Sequence, residues 1–244
     1  MSDTAVQIVI GLVTSAIGAG LGWFARRVSW QRGLRRKQRF FGLPKGSECL
    51  LVVNQDAATG KSAVARNDVF ALLELSALIR ECGVNADVIG HDEARQGFGT
   101  RTEFCIGGPF SNRRMAAHLG TLLPGVKVDT STEQGPGRGA FTVDGKTYEW
   151  RPGEVEHVLL ARLTAGGNGR PVFLAGGQRS VSNQAAVRYL TRHHRALARK
   201  HGVEGSFCLL LKVVNSEAYG PDVVELVADI TRAARTAPDE GSAD

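Results

Sequence analysis

Apolar positions fall into distinct kinds of run along the chain. Residues 4–25, TAVQIVIGLVTSAIGAGLGWFA, carry no charge. A helix of that length spans a hydrocarbon core, so the run predicts one transmembrane helix within residues 1–25. From residue 48 onward, short apolar runs alternate with segments of helical period. ECLLVVN (48–54), NADVIGHD (85–92), TEFCIGG (102–108), VKVDTS (126–131), EHVLLARLTA (156–165), PVFLAGG (171–177) and SFCLLLKVVN (206–215) predict strands, most of them apolar on both faces. Helices are expected from Asn67 to a stop at Gly83, from Asn112 to a stop at Pro124-Gly125, and over 183–201. PDVVELVADITRAAR, residues 221–235, has an amphipathic spacing that predicts a final helix. Asp144-Gly145 inside AFTVDGKTYEW marks a hairpin.

Strand and helix alternate, so the body is expected to be α/β, a Rossmann-like three-layer fold with a mostly parallel sheet and a β-hairpin insertion. The plan by residue is 1–25 transmembrane helix, 26–47 basic juxtamembrane linker, 48–235 α/β domain, and 236–244 disordered tail.

The charge changes the picture of the first segment. The 244 residues carry a formal charge of +6. Arg26, Arg27, Arg32, Arg35, Arg36, Lys37, Arg39 and Lys45 form a basic cluster without an acid among them. Beyond that cluster the body is close to neutral, so the basic balance is local and gives no reason to expect nucleic acid. Cations just after an apolar run place that side in the cytoplasm, with the N-terminus outside the cell membrane. They also place the segment against anionic lipid, with Trp23, Trp30, Phe40 and Phe41 interleaved. A cleaved signal peptide would need a basic start, and only Asp3 precedes the run. Gly11, Ser15, Gly18 and Gly22 line one helix face with small side chains, which permits a homodimer through that face. Cys49, Cys82, Cys105 and Cys208 have no C-x-x-C spacing and are expected to be buried, reduced thiols.

Candidate chemistry lies at the C-terminal ends of the strands, where open α/β sheets bind ligands. Two of these ends repeat one theme. TEFCIGGPFSN leads from a strand through Gly107-Gly108 to Asn112, and VFLAGGQRSVSN leads from a strand through Gly176-Gly177 to Asn183. Glycine pairs let the backbone approach a ligand, and helix starts attract anions. Gly107, Gly108, Asn112, Gly176, Gly177 and Asn183 are therefore candidate ligand-binding positions, with Arg113 and Arg179 beside them as cations. The alternative is that the glycines are tight turns and the asparagines helix caps. Asp56, Asp92 and Glu217 follow strands and are the carboxylates best placed for acid–base work, against a plain role in turns.

Named motifs are missing. Neither turn carries G-x-G-x-x-G, and QDAATGKS (55–62) has Gln55 where a P-loop has its first glycine. No H-E-x-x-H or G-x-S-x-G occurs, and no metal site is expected. No cofactor is named by these residues.

RNDVFALLEL, TEFCIGGPFSNRRMAAHL and LLLKVVNSEAYGPDVVELV, with the anchor and the FFGLP linker, resemble a group of uncharacterised single-pass membrane-anchored proteins from actinobacteria. That likeness implies an anchored chain and brings no activity. The pairing of GGP-x-x-N with a later strand–GG–x–N–helix is similar to Rossmann-like ligand-sensing domains of bacterial regulatory and defence proteins. It implies a nucleotide-like ligand. Three functions stay open from the sequence: a sensor binding a small phosphorylated ligand, a membrane-tethered scaffold, and a hydrolase or transferase acting on a nucleoside or NAD-type glycosidic bond.

Overall fold

A computed structural model describes residues 3–54, 63–95, 97–131, 137–164 and 169–237, without the side chains of 4–6 and 8–10. Helix α1 (Asp3–Phe41) is continuous over 39 residues. The expected division at residue 25 is therefore not a break in secondary structure: the basic segment is helical as far as Phe41. Among the described residues no helix is long and apolar enough to cross a membrane.

Ten strands follow: β1 (Glu48–Val53), β2 (Asn85–Gly90), β3 (Thr102–Ile106), β4 (Val126–Val128), β5 (Phe141–Val143), β6 (Lys146–Tyr148), β7 (Val155–Leu163), β8 (Val172–Gly177), β9 (Phe207–Val214) and β10 (Val224–Asp229). Between them lie α2 (Arg66–Glu81), α3 (Arg113–Leu122), α4 (Ser180–His201) and the single turn α5 (Ser216–Tyr219). The protein is α/β. Its central sheet has seven strands in the order β10-β9-β7-β8-β3-β1-β2. The β8-β3-β1-β2 block pairs in parallel, while β7 runs antiparallel to both β8 and β9, and β10 antiparallel to β9. Five of the seven strands thus point one way.

Two apolar cores cover the sheet, one on each face. The first joins Ala71, Leu75 and Ile79 of α2 with Ala186, Val187 and Leu190 of α4. The second joins Met115 and Leu119 of α3 with Phe141 and Val143 of the small antiparallel sheet β4-β5-β6. The four cysteines are free and buried. The end of α1 enters the first core through Phe40, Phe41 and Leu43, all under 2 % exposed. Arg162, 1 % exposed near the C-terminal end of β7, fixes that entry. Its Nε donates to Phe40 O at 3.0 Å, and its Nη1 donates to Glu204 O and Gly205 O at 2.6 and 2.8 Å. Burial lowers its pKa to about 10, with Glu204 pulling the other way.

Three expectations change. PDVVELVADITRAAR is not a helix. Val224–Asp229 is β10, paired along β9, and only Ala233–Arg235 forms a short 3-10 turn. The free edge of β9 supplies the partner that helical spacing alone does not reveal. VKVDTS contributes β4 to the small sheet, not to the central one. The helix beginnings also move. α2 starts at Arg66 after Ala65, which makes no side-chain cap, and α4 starts at Ser180. The QDAATGKS segment and residues 238–244 lie outside the described residues.

Candidate functional site

The order β2-β1-β3 means the chain leaves β1 to one side and returns on the other. The crevice beyond the ends of β1 and β3 is where a sheet of this kind opens to a ligand. A cavity of about 460 Å³ lies there, lined by Asn54, Gly108, Ser111, Arg138, Gly177 and Arg179 among others. Asn54 follows β1 and is 8 % exposed. Its Nδ2 donates to Ser111 Oγ at 3.3 Å, and its Oδ1 has no hydrogen-bond partner among the described residues.

The repeated glycine pairs stand side by side because Ile106 of β3 pairs with Ala175 of β8. Gly107 has φ +109°, and a Cβ there would sit 2.7 Å from the Asn54 Cβ. A Cβ on Gly108 would come within 2.9 Å of Gly177 O, and one on Gly176 within 3.2 Å of Gly107 O. The two turns therefore touch backbone to backbone at Gly108, while Gly107 is held to glycine by its positive φ and Asn54, and Gly177 by Ser182 Oγ, which a Cβ there would strike. Gly108 and Gly177 lie on the cavity wall.

The two asparagines are less alike than their settings in sequence. Asn112, fully buried, is the N-cap of α3: its Oδ1 accepts from Met115 N at 2.9 Å and its Nδ2 donates to Ile106 O at 2.8 Å. Asn183 lies within the first turns of α4. Its Oδ1 accepts from Gly177 N at 2.7 Å and its Nδ2 donates to Asp68 Oδ1 of α2 at 2.9 Å. Both side chains already hold the fold together, and only Asn183 also borders the cavity.

A second cavity of about 700 Å³ adjoins the first, with Trp150 and Arg179 in the walls of both. The Arg179 guanidinium lies over the Trp150 ring at 5.0 Å from its centroid. Because β7 runs against β8, its start reaches the same edge of the sheet and brings Glu156 there. Ser216 and Glu217, just after β9, arrive from the other side. Glu156 is 3 % exposed; Ser216 Oγ donates to its Oε1 at 2.7 Å, and Arg179 Nε is 4.0 Å from that same oxygen. Its Oε2 has no hydrogen-bond partner among the described residues. Burial raises the pKa of this carboxyl, and Glu217 adds to the rise. Ser216, Arg179 and Ser182 oppose it without reversing it. The Trp150 Nε1 in the same wall is likewise buried without a hydrogen-bond partner among the described residues.

The structure brings Gly108, Gly177, Arg179, Asn183 and Glu217 to these cavities. Gly107 and Gly176 stand just behind, where the two turns meet. Asn112 is under α3, and Arg113 is exposed and lines neither cavity. Asp92 is exposed in the turn after β2 and also lines neither, while Asp56 lies outside the described residues. Glu156, Trp150 and Arg138 were not legible as site residues. The one signal for Glu156 is a charged residue within a strand otherwise buried on both faces.

The chain matches no family model and no curated protein sequence.

Proposed function

We propose that the protein is a membrane-anchored sensor whose cytoplasmic, Rossmann-like domain binds a small phosphorylated, nucleotide-like ligand. The observation that carries the reading is a two-part cleft, its smaller part at the β1/β3 order reversal and its larger part at the start of β7, with the Trp150–Arg179 pair in the walls of both. Arg138, Arg179 and the start of α4 favour an anion in the smaller part. Trp150 offers a ring for a flat group. Anchoring is supported by the α1 surface. Leu12, Ile17, Leu21, Trp23 and Phe24 are 56–66 % exposed on a helix that leaves the body, where a membrane would cover them. The buried Arg162 contacts give α1 a stiff connection to the loop after α4, a route by which binding could reach the anchor.

The test is a thermal-shift series on the full chain with ribonucleoside mono-, di- and triphosphates and NAD. A true ligand at a hundredfold excess over its Kd stabilises by about 2.7 kcal/mol. Arg179→Ala is expected to remove most of the shift while the protein stays folded. A folded protein that none of these compounds stabilises ends the ligand reading and favours a tethered scaffold.

The enzyme reading has one specific observation behind it. Glu156 and Glu217 both line the larger cavity, and glycosidic hydrolysis uses a pair of carboxylates. Release of free base from NAD or a nucleotide, abolished by Glu217→Gln, would establish it.

A further inference from the structure

The larger cavity is lined by Glu156, which carries a buried acceptor without a hydrogen-bond partner among the described residues. Glu156 Oε1 is satisfied by Ser216, but Oε2 has no hydrogen-bond partner among the described residues. The Ser182 hydroxyl is near, yet it gives its proton to Arg179 O at 2.7 Å. A buried acceptor without a donor is unfavourable, and a ligand that brings donors relieves it. The raised pKa of Glu156, caused first by burial, fits a carboxyl short of donors.

Charge decides what kind of donor fits. In the larger cavity Arg66, Arg179 and Arg188 balance Glu74, Glu156 and Glu217. Arg188 is already bound to Glu74 at 2.5 Å and to Asp222 at 2.8 Å. With no excess of negative charge, the compartment has no pull on a cation, and neutral hydroxyls suit it better. In the smaller cavity Arg138 and Arg179 outnumber Asp129, and the start of α4 adds positive character. The two parts therefore prefer an anion at one end and a neutral polyhydroxyl group at the other, with Trp150 beside both. A phosphorylated ribonucleoside has this order of chemistry.

We propose that Glu156 Oε2 receives the ribose hydroxyls of the bound ligand, so that the cleft selects ribonucleotides over 2′-deoxyribonucleotides. This rests on the nucleotide reading above and names the group that sets the sugar preference. Arg179 reaches toward both the anion and the carboxylate, and it ties the two halves of the site together.

The experiment is isothermal titration of the full chain with ADP, GDP, CDP and UDP, each beside its 2′-deoxy counterpart, for the native sequence and for Glu156→Gln. A native preference of about tenfold or more for the ribo member of the binding pair is expected, since a site built to bond a hydroxyl rejects the analogue without it. Glu156→Gln should bring that ratio toward one while inorganic pyrophosphate still binds. The ribo/deoxy comparison on the native chain needs no variant, so it decides the point even if Glu156→Gln does not fold. Equal affinities within the binding pair overturn the sugar role while the nucleotide reading stands. A ratio that survives Glu156→Gln moves the role to another residue. Absence of binding by all eight nucleotides to the folded protein overturns the sugar role for diphosphates, and together with no stabilisation by mono- and triphosphates or NAD it overturns the nucleotide reading as well.

Discussion

Glu103 on β3 and Glu156 on β7 are each 3 % exposed, and their surroundings differ in the supply of donors. Arg114 Nη2 and Nε bond the Glu103 carboxylate at 2.7 and 3.0 Å, and His118 Nε2 lies 2.8 Å from its Oε1. Burial pushes the Glu103 carboxyl up, and the bonds from His118 and Arg114 more than reverse the push, so its pKa is lowered. Glu156 has one serine hydroxyl and a distant guanidinium, and its pKa is raised. Glu156 lines the larger of the two cavities described, and Glu103 lines neither. The comparison separates two settings of a buried charge: a closed cluster that ties α3 to the sheet, and a carboxylate beside a cavity with one oxygen unpaired among the described residues.

The most direct way to break the comparison is to open the closed cluster. Arg114→Leu leaves Glu103 buried with His118 alone, and is expected to destabilise the fold by about 3 kcal/mol in urea unfolding. Glu156→Gln keeps the Ser216 bond and removes a charge with no full partner. Its cost is expected to stay below about 1 kcal/mol. If Glu156→Gln costs as much as Arg114→Leu, Glu156 is a structural residue and the distinction fails.

Asp68 of α2 sharpens the comparison with a third buried carboxylate. It is fully buried, and its Oδ1 accepts from Asn183, whose own Oδ1 accepts from Gly177 N. Asn183→Ala strips both bonds at once and is expected to cost about 2 kcal/mol. Asn112→Ala removes a helix cap and is expected to cost about 1 kcal/mol. Chemical unfolding of the two variants should show Asn183 as the larger loss, although the sequence presents the two positions as copies.

That difference shows what the sequence could and could not disclose. Strands such as TEFCIGG and SFCLLLKVV were legible because both faces are largely buried and most positions are apolar or small, Glu103 and Lys212 excepted. The glycine pairs were legible as special positions, but their reason was not, since Gly108 meets Gly177 only after β3 and β8 pair. Arg179 and Glu217 were legible from their places after strands. Glu156 was not, because its burial depends on β7 lying antiparallel between β8 and β9, a long-range arrangement. VELVAD was misread for the same reason: both periods fit so short a run, and the free edge of β9 decided for a strand.

The smallest effect is also the most discriminating, because the two glutamates should give stability–pH curves of opposite sign. Glu103 has a folded pKa below its unfolded value. Its contribution is present above the ordinary carboxylate range and is lost as pH falls through the folded value. Glu156 has a folded pKa above its unfolded value. Its contribution is present below the ordinary range and is lost as pH rises through the folded value. Glu156→Gln should therefore gain stability relative to the native chain as pH climbs past that point, and Glu103→Gln should lose its disadvantage as pH drops. Denaturant midpoints of the three proteins across the acidic range measure both trends. On the proposed reading a ribonucleotide supplies the missing donors, so saturating ligand should flatten the Glu156 difference and leave the Glu103 difference as it was. If ligand leaves both curves unchanged, Oε2 of Glu156 is not where the ligand binds.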